Sequence, residues 1–381
     1  MSLTQQPLSC FTGAPLFTPQ NTIANLPALY SGRDISILIR STNWIGDAIM
    51  TLPAIRTIRQ NFPTANITIL AHPWVADIFS ANPNINRVII YHKKTLHRGV
   101  AGLWRLAREL TRERFDLAIL LQNAFEAALL ARLARIPAVA GYNRDARGLL
   151  LTHSVPVDKA LKGVHQVYYY QQLMASLGMH CADNRLALTL PDDDLRWASN
   201  LVNQRPGLVF GLNPGAAYGP AKCWPAERYG EVARRLLAKL GGTAYVFGTA
   251  VDNRVAKTIA AIAGPAVIDL TGKTTLSRAM ALIGRCDAFV TNDSGLMHVA
   301  AALDTPLVAI FGSTDSVATG PFSQRSVVVS HGLPCAPCLK THCPTHFECM
   351  VGIEVGEVEK AALRILTEFS PMRRQTESGP A

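Results

Sequence analysis

Residues 288–303 read AFVTNDSGLMHVAAAL. The short apolar run AFVT suits a strand buried on both faces, and LMHVAAAL has the composition of a buried helix. Between them Asn292, Asp293, Ser294 and Gly295 make the turn from one to the other. Repetition of such strand–turn–helix units builds a parallel sheet covered by helices. The fold class therefore rests on whether the rest of the chain repeats this unit.

It does, in both directions. GLVFGLN (207–213), TAYVFG (243–248) and AVIDL (266–270) precede it as strands, and PLVAIFG (306–312) and SVVVSH (326–331) follow it. In ERYGEVARRLLAKL (227–240) the apolar positions Tyr229, Val232, Ala233, Leu236, Leu237 and Leu240 fall at helical spacing, so one face packs on a sheet. An earlier series runs ISILIR (35–40), NITILAH (66–72), NRVIIYH (86–92), DLAILLQN (116–123) and AVAGYN (138–143). Helical segments such as DAIMTLPAIRTIRQNF and RGVAGLWRLARELTRERF lie between those strands.

The chain has 381 residues, more than one compact core usually holds, so two domains are expected. Around residues 183–206 the acidic PDDD turn, a short helix and an Arg-Pro pair mark the boundary between them. This gives an irregular extension over 1–32, an N-terminal domain over 33–195, a second domain over 196–350, a C-terminal helix over 351–370 and a flexible tail over 371–381. Residues 1–32 carry no charged side chain, so they lack the basic start of a secretory signal. No apolar stretch reaches the length of a membrane span, which predicts a soluble or peripheral protein.

The formal net charge is +10, which favours anionic partners. Arginines are scattered along helices without aromatic-interleaved basic blocks, so phosphate ligands or a membrane surface are favoured over nucleic acid. In open parallel sheets ligands sit at the carboxyl ends of strands. Four such ends stand out.

At the first, Asp293, Ser294 and Gly295 begin a helix, where free amides and the helix dipole can hold a phosphate. The competing reading is an ordinary Asp or Ser helix cap. The second is NPGAAYGPAKCWP (213–225), where Gly215 and Gly219 permit unusual backbone angles and Lys222 can reach a phosphate as a point charge. Its spacing is not that of a Walker loop, and a surface loop with a solvated lysine is the alternative. The third is STNWIGDAIMTLPAI (41–55), where Gly46 permits a tight turn and Asp47 follows as a candidate general base or a dipole-stabilised helix-start carboxylate. The fourth is VFGTAVDN, where Gly248 ends a strand and Asp252 can reach a ribose hydroxyl.

Taken together these blocks resemble the ADP-heptose:lipopolysaccharide heptosyltransferases, glycosyltransferase family 9, and most closely their type II members. The resemblance is carried by WIGDAIMTLPAIRTIR, LLQNAF, PGAAYGPAKCWP, VFGTAVD and TNDSGLMHVAAALDTPLVAIFG, in the family's order over roughly residues 35–325. It implies an α/β fold of the GT-B type, with two Rossmann-like doubly wound parallel-sheet domains facing a cleft. By match to the family motifs, Lys222 contacts the donor phosphates, and Asp293, Ser294, Gly295 and His298 hold the diphosphate and heptose. Gly215, Gly248, Thr249, Asp252, Thr274 and Thr275 complete the donor side. Asp47 is the catalytic base, and Asn43, Trp44, Gly46 and Asn123 fall on the acceptor side.

The implied reaction inverts the anomeric centre of ADP-L-glycero-β-D-manno-heptose as an inner-core heptose attacks it. No cofactor is needed for that step. The implied acceptor is the lipid A core oligosaccharide, which predicts a cytoplasmic protein, peripheral at the inner face of the inner membrane. Types I and III differ mainly in acceptor contacts and are the first alternatives. A GT-B sugar-nucleotide epimerase would need a proton-abstracting set that no motif suggests, and a non-catalytic binding protein would not need Asp47.

CAPCLKTHCPTHFEC (335–349) spaces Cys335, Cys338, Cys343 and Cys349 as C-x2-C-x4-C-x5-C. Four thiolates at such spacing can bind structural zinc or an iron–sulfur cluster, and the alternative is four reduced thiols. Cys10, Cys181, Cys223 and Cys286 are isolated and are expected to pack.

Overall fold

The computed structural model describes residues 2–4, 22–161 and 163–377. Thirteen strands are found among these residues. They are β1 (Ser2–Thr4), β2 (Ser36–Arg40), β3 (Asn66–Ala71), β4 (Arg87–Ile90), β5 (Leu117–Leu120), β6 (Ala138–Tyr142), β7 (His153–Val155), β8 (Val209–Asn213), β9 (Thr243–Val246), β10 (Val267–Asp269), β11 (Ala288–Asn292), β12 (Leu307–Phe311) and β13 (Ser326–Ser330). They form two sheets in two compact units that divide between Thr189 and Leu190, with β1 joining the second.

The first unit holds the order β4-β3-β2-β5-β6-β7, all parallel. The second holds β10-β9-β8-β11-β12-β13, also parallel, with β1 added antiparallel at the β13 edge. Numbered from its own first parallel strand, each sheet reads 3-2-1-4-5-6, the doubly wound order. The strand order reverses between β2 and β5 in one unit and between β8 and β11 in the other. Those two switch points are where the loops after the strands splay apart and leave room for a ligand.

Residues 288–303 fold as β11 and the helix Gly295–Ala302. Every residue of β11 is buried, as a central parallel strand covered on both faces requires. The helix Ala226–Leu240 buries Tyr229, Gly230, Val232, Ala233 and Leu236. Leu237 is half-buried and Leu240 exposed, because the helix ends at Gly241, whose φ of 69° turns the chain away.

Trp224 anchors the loop in front of that helix. It is 1% exposed in the second unit's core, and its indole N–H donates to the Ile353 carbonyl at 3.0 Å. Trp224→Ala removes that contact and opens a cavity, so a loss of about 3–5 kcal/mol is expected. Thermal unfolding of the variant measures it.

The structure differs from the sequence-based boundaries at three places. The helix Asp192–Asn203 lies wholly in the second unit, so the division falls before the PDDD turn. Its first-turn Asp194 accepts from the Ser277 hydroxyl and pairs with Arg278 at 3.6 Å, which ties it to the helix Leu276–Ile283. The final helix runs Val355–Glu377, beyond the expected 370, and packs against β11, β12 and β13 through buried Val358, Ala361, Ala362, Ile365 and Leu366. It is part of the second unit's core. Of the expected tail only 378–381 lie outside the described residues.

The N-terminal extension is not wholly irregular. Leu26–Leu29 forms a short helix capped by Asn25, Leu26 is fully buried, and Leu26 N–H donates to the Leu177 carbonyl at 3.0 Å. Gly178 makes this possible, since a Cβ there would stand 2.7 Å from Asn25 Cα. Ser2–Thr4 supplies β1, and residues 5–21 lie outside the described residues.

Candidate active site

At the second unit's switch point, β8 and β11 run side by side and end on Asn213 and Asn292. Both asparagines are buried, so their amides must be satisfied locally. Asn292 accepts from Trp224 N–H at 3.1 Å and from the Tyr229 hydroxyl at 3.0 Å, and donates to the Pro214 carbonyl at 2.6 Å. This locks the loop 214–224 onto the end of β11. Asn213 donates to Thr291 Oγ1 at 2.9 Å and to Ser294 Oγ at 2.6 Å.

The Ser294 hydroxyl is therefore held across the sheet instead of capping its own helix. Ser294 occupies the cap position of Gly295–Ala302 with an extended backbone and no side-chain cap bond. That first turn lies at the positive end of the helix dipole, with Met297 N–H donating to the Ser294 carbonyl at 3.2 Å. The simple Ser-cap alternative does not describe this turn. His298, one turn on, is buried.

Asp293 is 4% exposed and its Oδ2 accepts twice, from Lys222 Nζ at 2.6 Å and from Thr314 Oγ1 at 2.6 Å. The lysine is not solvated, since its side chain is 13% exposed. Tyr218 lies over it, with Nζ 4.8 Å from the ring centroid, and the Tyr218 hydroxyl donates to the Leu339 carbonyl at 2.8 Å. Gly219 (φ 150°) lets Thr341 approach so closely that a Cβ would lie 2.5 Å from its carbonyl oxygen, and Ala221 N–H donates to that same oxygen at 3.1 Å. The lysine is thus preorganised beside a helix start whose Ser294 side chain makes no cap bond.

Gly215 is needed for another close approach, because a Cβ there would stand 2.6 Å from Asp252 Oδ1. Asp252, expected to reach a ribose, is turned into its own loop. Its Oδ2 accepts from Thr249 N–H at 2.7 Å and Thr249 Oγ1 at 2.9 Å as a capping box after Gly248. Thr275 likewise caps its helix, accepting from Arg278 N–H at 3.2 Å, with Thr274 half-buried beside it.

In the first unit, β2 and β5 end at Arg40 and Leu120. The helix Ile45–Met50 starts five residues past the end of β2, with Trp44 at its cap position making no side-chain cap bond, Gly46 buried and Asp47 in the first turn. Asp47 stands close enough to Tyr170 for its charge to raise that phenol's pKa, although burial is the larger cause. Asn43 accepts from Arg40 Nη2 at 3.1 Å, and its carbonyl accepts from Trp74 Nε1 at 2.7 Å. Asn123 is engaged at both ends, accepting from Arg147 Nη2 at 3.0 Å and donating to the Tyr169 hydroxyl at 2.7 Å. These two bonds brace the switch point.

Two buried arginines there escape a sequence reading. Arg40 and Arg147 are each almost fully buried, and burial pushes both down to about 10. Arg40 bonds the Ser41 and Leu70 carbonyls, Asn43 and His72; Arg147 bonds the Tyr142 and Gln122 carbonyls and Asn123. Burial and then the Arg40 charge push His72 down to about 4, so it is neutral at pH 7. Arg40 could be suspected as the polar end of ISILIR, but nothing local marks Arg147.

The four clustered cysteines line one pocket together with Ser313, Lys340 and Phe347. Burial first, and then the nearby Cys343, Cys335 and Cys338, push the Cys349 thiol up. Hydrogen bonding from Thr345 lowers Cys343. Among the described residues no group of three or more His, Cys, Asp or Glu is gathered as metal ligands, so the arrangement does not support the metal alternative for the cysteine array. What the loop does in this arrangement is brace Tyr218 and Ala221 through Leu339 and Thr341. Cys181 and Cys223 are half-buried and Cys286 is buried, as packing residues are.

Comparison with known proteins follows the same line. The model of glycosyltransferase family 9 (heptosyltransferase) matches residues 103–347. Lipopolysaccharide heptosyltransferase 2 of Salmonella typhimurium is 32% identical over 326 residues, covering 77% of this chain and 88% of the relative. The structure of E. coli ADP-heptose lps heptosyltransferase II superposes with a TM-score of 0.75 at 28% identity, covering 88% of this chain and 99% of that one. A family 9 glycosyltransferase from Veillonella parvula gives a TM-score of 0.80 at 25% identity over 88% and 98%. With two doubly wound sheets whose switch points carry the motif residues, and with these matches, the chain belongs to glycosyltransferase family 9, the heptosyltransferases.

Proposed function

We propose that this glycosyltransferase moves heptose from ADP-L-glycero-β-D-manno-heptose to a heptose of the lipopolysaccharide inner core, as type II enzymes do. The observation that carries the donor side is the Lys222–Asp293 pair at the end of β11, beside a helix start whose Ser294 makes no side-chain cap bond. A diphosphate is the ligand such a site suits, because it can take both the ammonium and the first-turn amides. Asp293 then orients Lys222 and meets heptose hydroxyls, with Ser294, Gly295 and His298 around the same ligand. The glycines Gly215 and Gly248, with Thr249, Asp252, Thr274 and Thr275, shape the nucleotide side.

In the reaction an acceptor hydroxyl loses its proton to Asp47 as its oxygen bonds the anomeric carbon. The anomeric bond to phosphate breaks on the opposite face, and ADP leaves with both electrons. Lys222 and the amides stabilise the charge that grows on ADP, the effect that matters most at such a transition state. Asn43, Trp44, Gly46 and Asn123 border the acceptor, and Asn123 also holds Arg147. No cofactor enters these steps. The acceptor is lipid-anchored, so the enzyme works in the cytoplasm at the inner face of the inner membrane. No helix among the described residues is long and apolar enough to cross a membrane, which fits peripheral attachment.

The test is incubation with ADP-heptose and truncated core acceptors bearing no heptose, one or two, followed by mass analysis. Addition of one heptose only to the one-heptose acceptor is the expected result. Addition to the heptose-free or two-heptose acceptor would reassign the enzyme to type I or III, and no transfer to any of them would end this reading.

A further inference from the structure

We propose that residues 92–108 of the first unit form the surface by which the protein docks on an anionic lipid bilayer. This deepens the reading of a lipid-anchored acceptor and rests on it for the choice of membrane. Three observations converge on that stretch.

The first is charge. Between His92 and Arg108 the sequence holds Lys93, Lys94, Arg98, Arg105 and Arg108 and no acidic residue. Lys93 is held by Glu126 at 2.8 Å, so the attraction rests on the other four. The second is apolar exposure at the same place. Leu96 is 49% exposed, Val100 74% and Trp104 47%, on a helix, Gly99–Arg112, that buries Gly102, Leu106, Ala107 and Leu110 on its opposite side. Val100, Trp104 and Arg108 follow one another at four-residue intervals, so two apolar side chains and a cation stand in one row. Trp74, 42% exposed, extends the patch, with Lys94 Nζ 5.3 Å from its ring centroid.

The third is rigidity. A Cβ at Gly102 would fall 2.1 Å from the backbone of His97, so the loop is pressed onto the first turn of the helix. His97 is buried, its N–H donates to the His92 carbonyl at 3.0 Å, its Nδ1 accepts from His92 N–H at 3.2 Å, and its Nε2 meets Glu109 at 3.3 Å. The loop therefore presents Lys94, Leu96 and Arg98 in a fixed place beside Val100. A helix lying in the interface, with tryptophan at headgroup level and a rim of basic side chains, is how peripheral proteins hold anionic bilayers. A soluble protein partner would not require four cations beside the apolar side chains, and a polyanion such as nucleic acid would not require the apolar side chains.

The experiment is co-sedimentation of the full chain with phosphatidylcholine vesicles and with vesicles of phosphatidylcholine and phosphatidylglycerol in equal parts. Wild type is expected to bind the anionic vesicles, to release at high salt, and to leave phosphatidylcholine alone unbound. Val100→Ser/Trp104→Ser and Arg105→Gln/Arg108→Gln should each bind about tenfold or more weakly. Both should keep the wild-type melting temperature and transfer to a delipidated acceptor. Wild type that stays in the supernatant, or variants that bind as wild type does, would overturn the proposal. So would a self-association in solution that the Val100/Trp104 variant abolishes, or basic-residue dependence with none on Val100 and Trp104. Vesicle binding without transfer to any heptose acceptor would instead refute the proposed function and leave this surface standing.

Discussion

An Asp47→Ala enzyme should bind ADP as wild type does and transfer heptose about 10²–10⁴-fold more slowly, the usual range for removing a general base. Asp47 sits in the first turn of the helix Ile45–Met50, where the dipole favours its ionised form. Competing bases near it are poorly suited. Tyr170 is buried, and burial, followed by the Asp47 charge, keeps its phenol protonated. His72 has one ring nitrogen at the Tyr91 carbonyl (3.0 Å) and the other at Arg40 (3.2 Å). Asp47→Asn should lose as much rate as the alanine variant while keeping the side chain's volume, which separates lost basicity from lost packing. Initial rates with both substrates saturating, set beside calorimetry with ADP, check this. An alanine variant with normal turnover would remove the assignment.

The doubly wound fold was legible because a parallel strand covered on both faces is a continuous apolar run, and every such run that could be read became a strand. The site was legible where it follows from strand ends. Asp293 and Lys222 come from two loops after β11 and β8, and Asp47 from the first turn of the helix that follows β2, all beside a switch point. The same rule applied after β12 would have found Thr314, two residues past Gly312 and bonded to Asp293.

Other features were hidden because they depend on contacts between distant segments. β1 has three residues and gains its order from β13. The helix Val355–Glu377 is longer than expected, and its buried Val358, Ala361, Ala362, Ile365 and Leu366 join the core of the second unit. Asp252 reads in the sequence as a ribose ligand, and the contact that reading does not show is its Oδ2 accepting from Thr249 in a capping box, which needs only three residues of chain. The cysteine spacing shows that four thiols can share a loop. It does not say how the loop's backbone is spent, and here Leu339 and Thr341 bond Tyr218 and Ala221.

Lys222→Ala should lower transfer by about 10²–10³-fold and weaken ADP binding, the scale on which one donor to a developing anion acts. It should also destabilise the protein, and that second effect has to be separated from the first. The Lys222 ammonium meets Asp293 at 2.6 Å with side-chain exposures of 13% and 5%. Removing one partner of such a pair leaves a buried charge uncompensated, at a cost of up to about 3–5 kcal/mol. The Thr314 hydroxyl, still bonded to Asp293, offsets part of this. Lys222→Ala/Asp293→Asn removes the stranded charge, so the double variant should recover most of the lost stability. It should recover none of the rate, because neither an asparagine nor Thr314 supplies the positive charge that leaving ADP needs. Denaturant unfolding and steady-state kinetics on the two single variants and the double variant measure both quantities. Unchanged kinetics in Lys222→Ala would refute the phosphate role. A double variant regaining stability and rate together would reduce the pair to a brace between the loop 214–224 and β11.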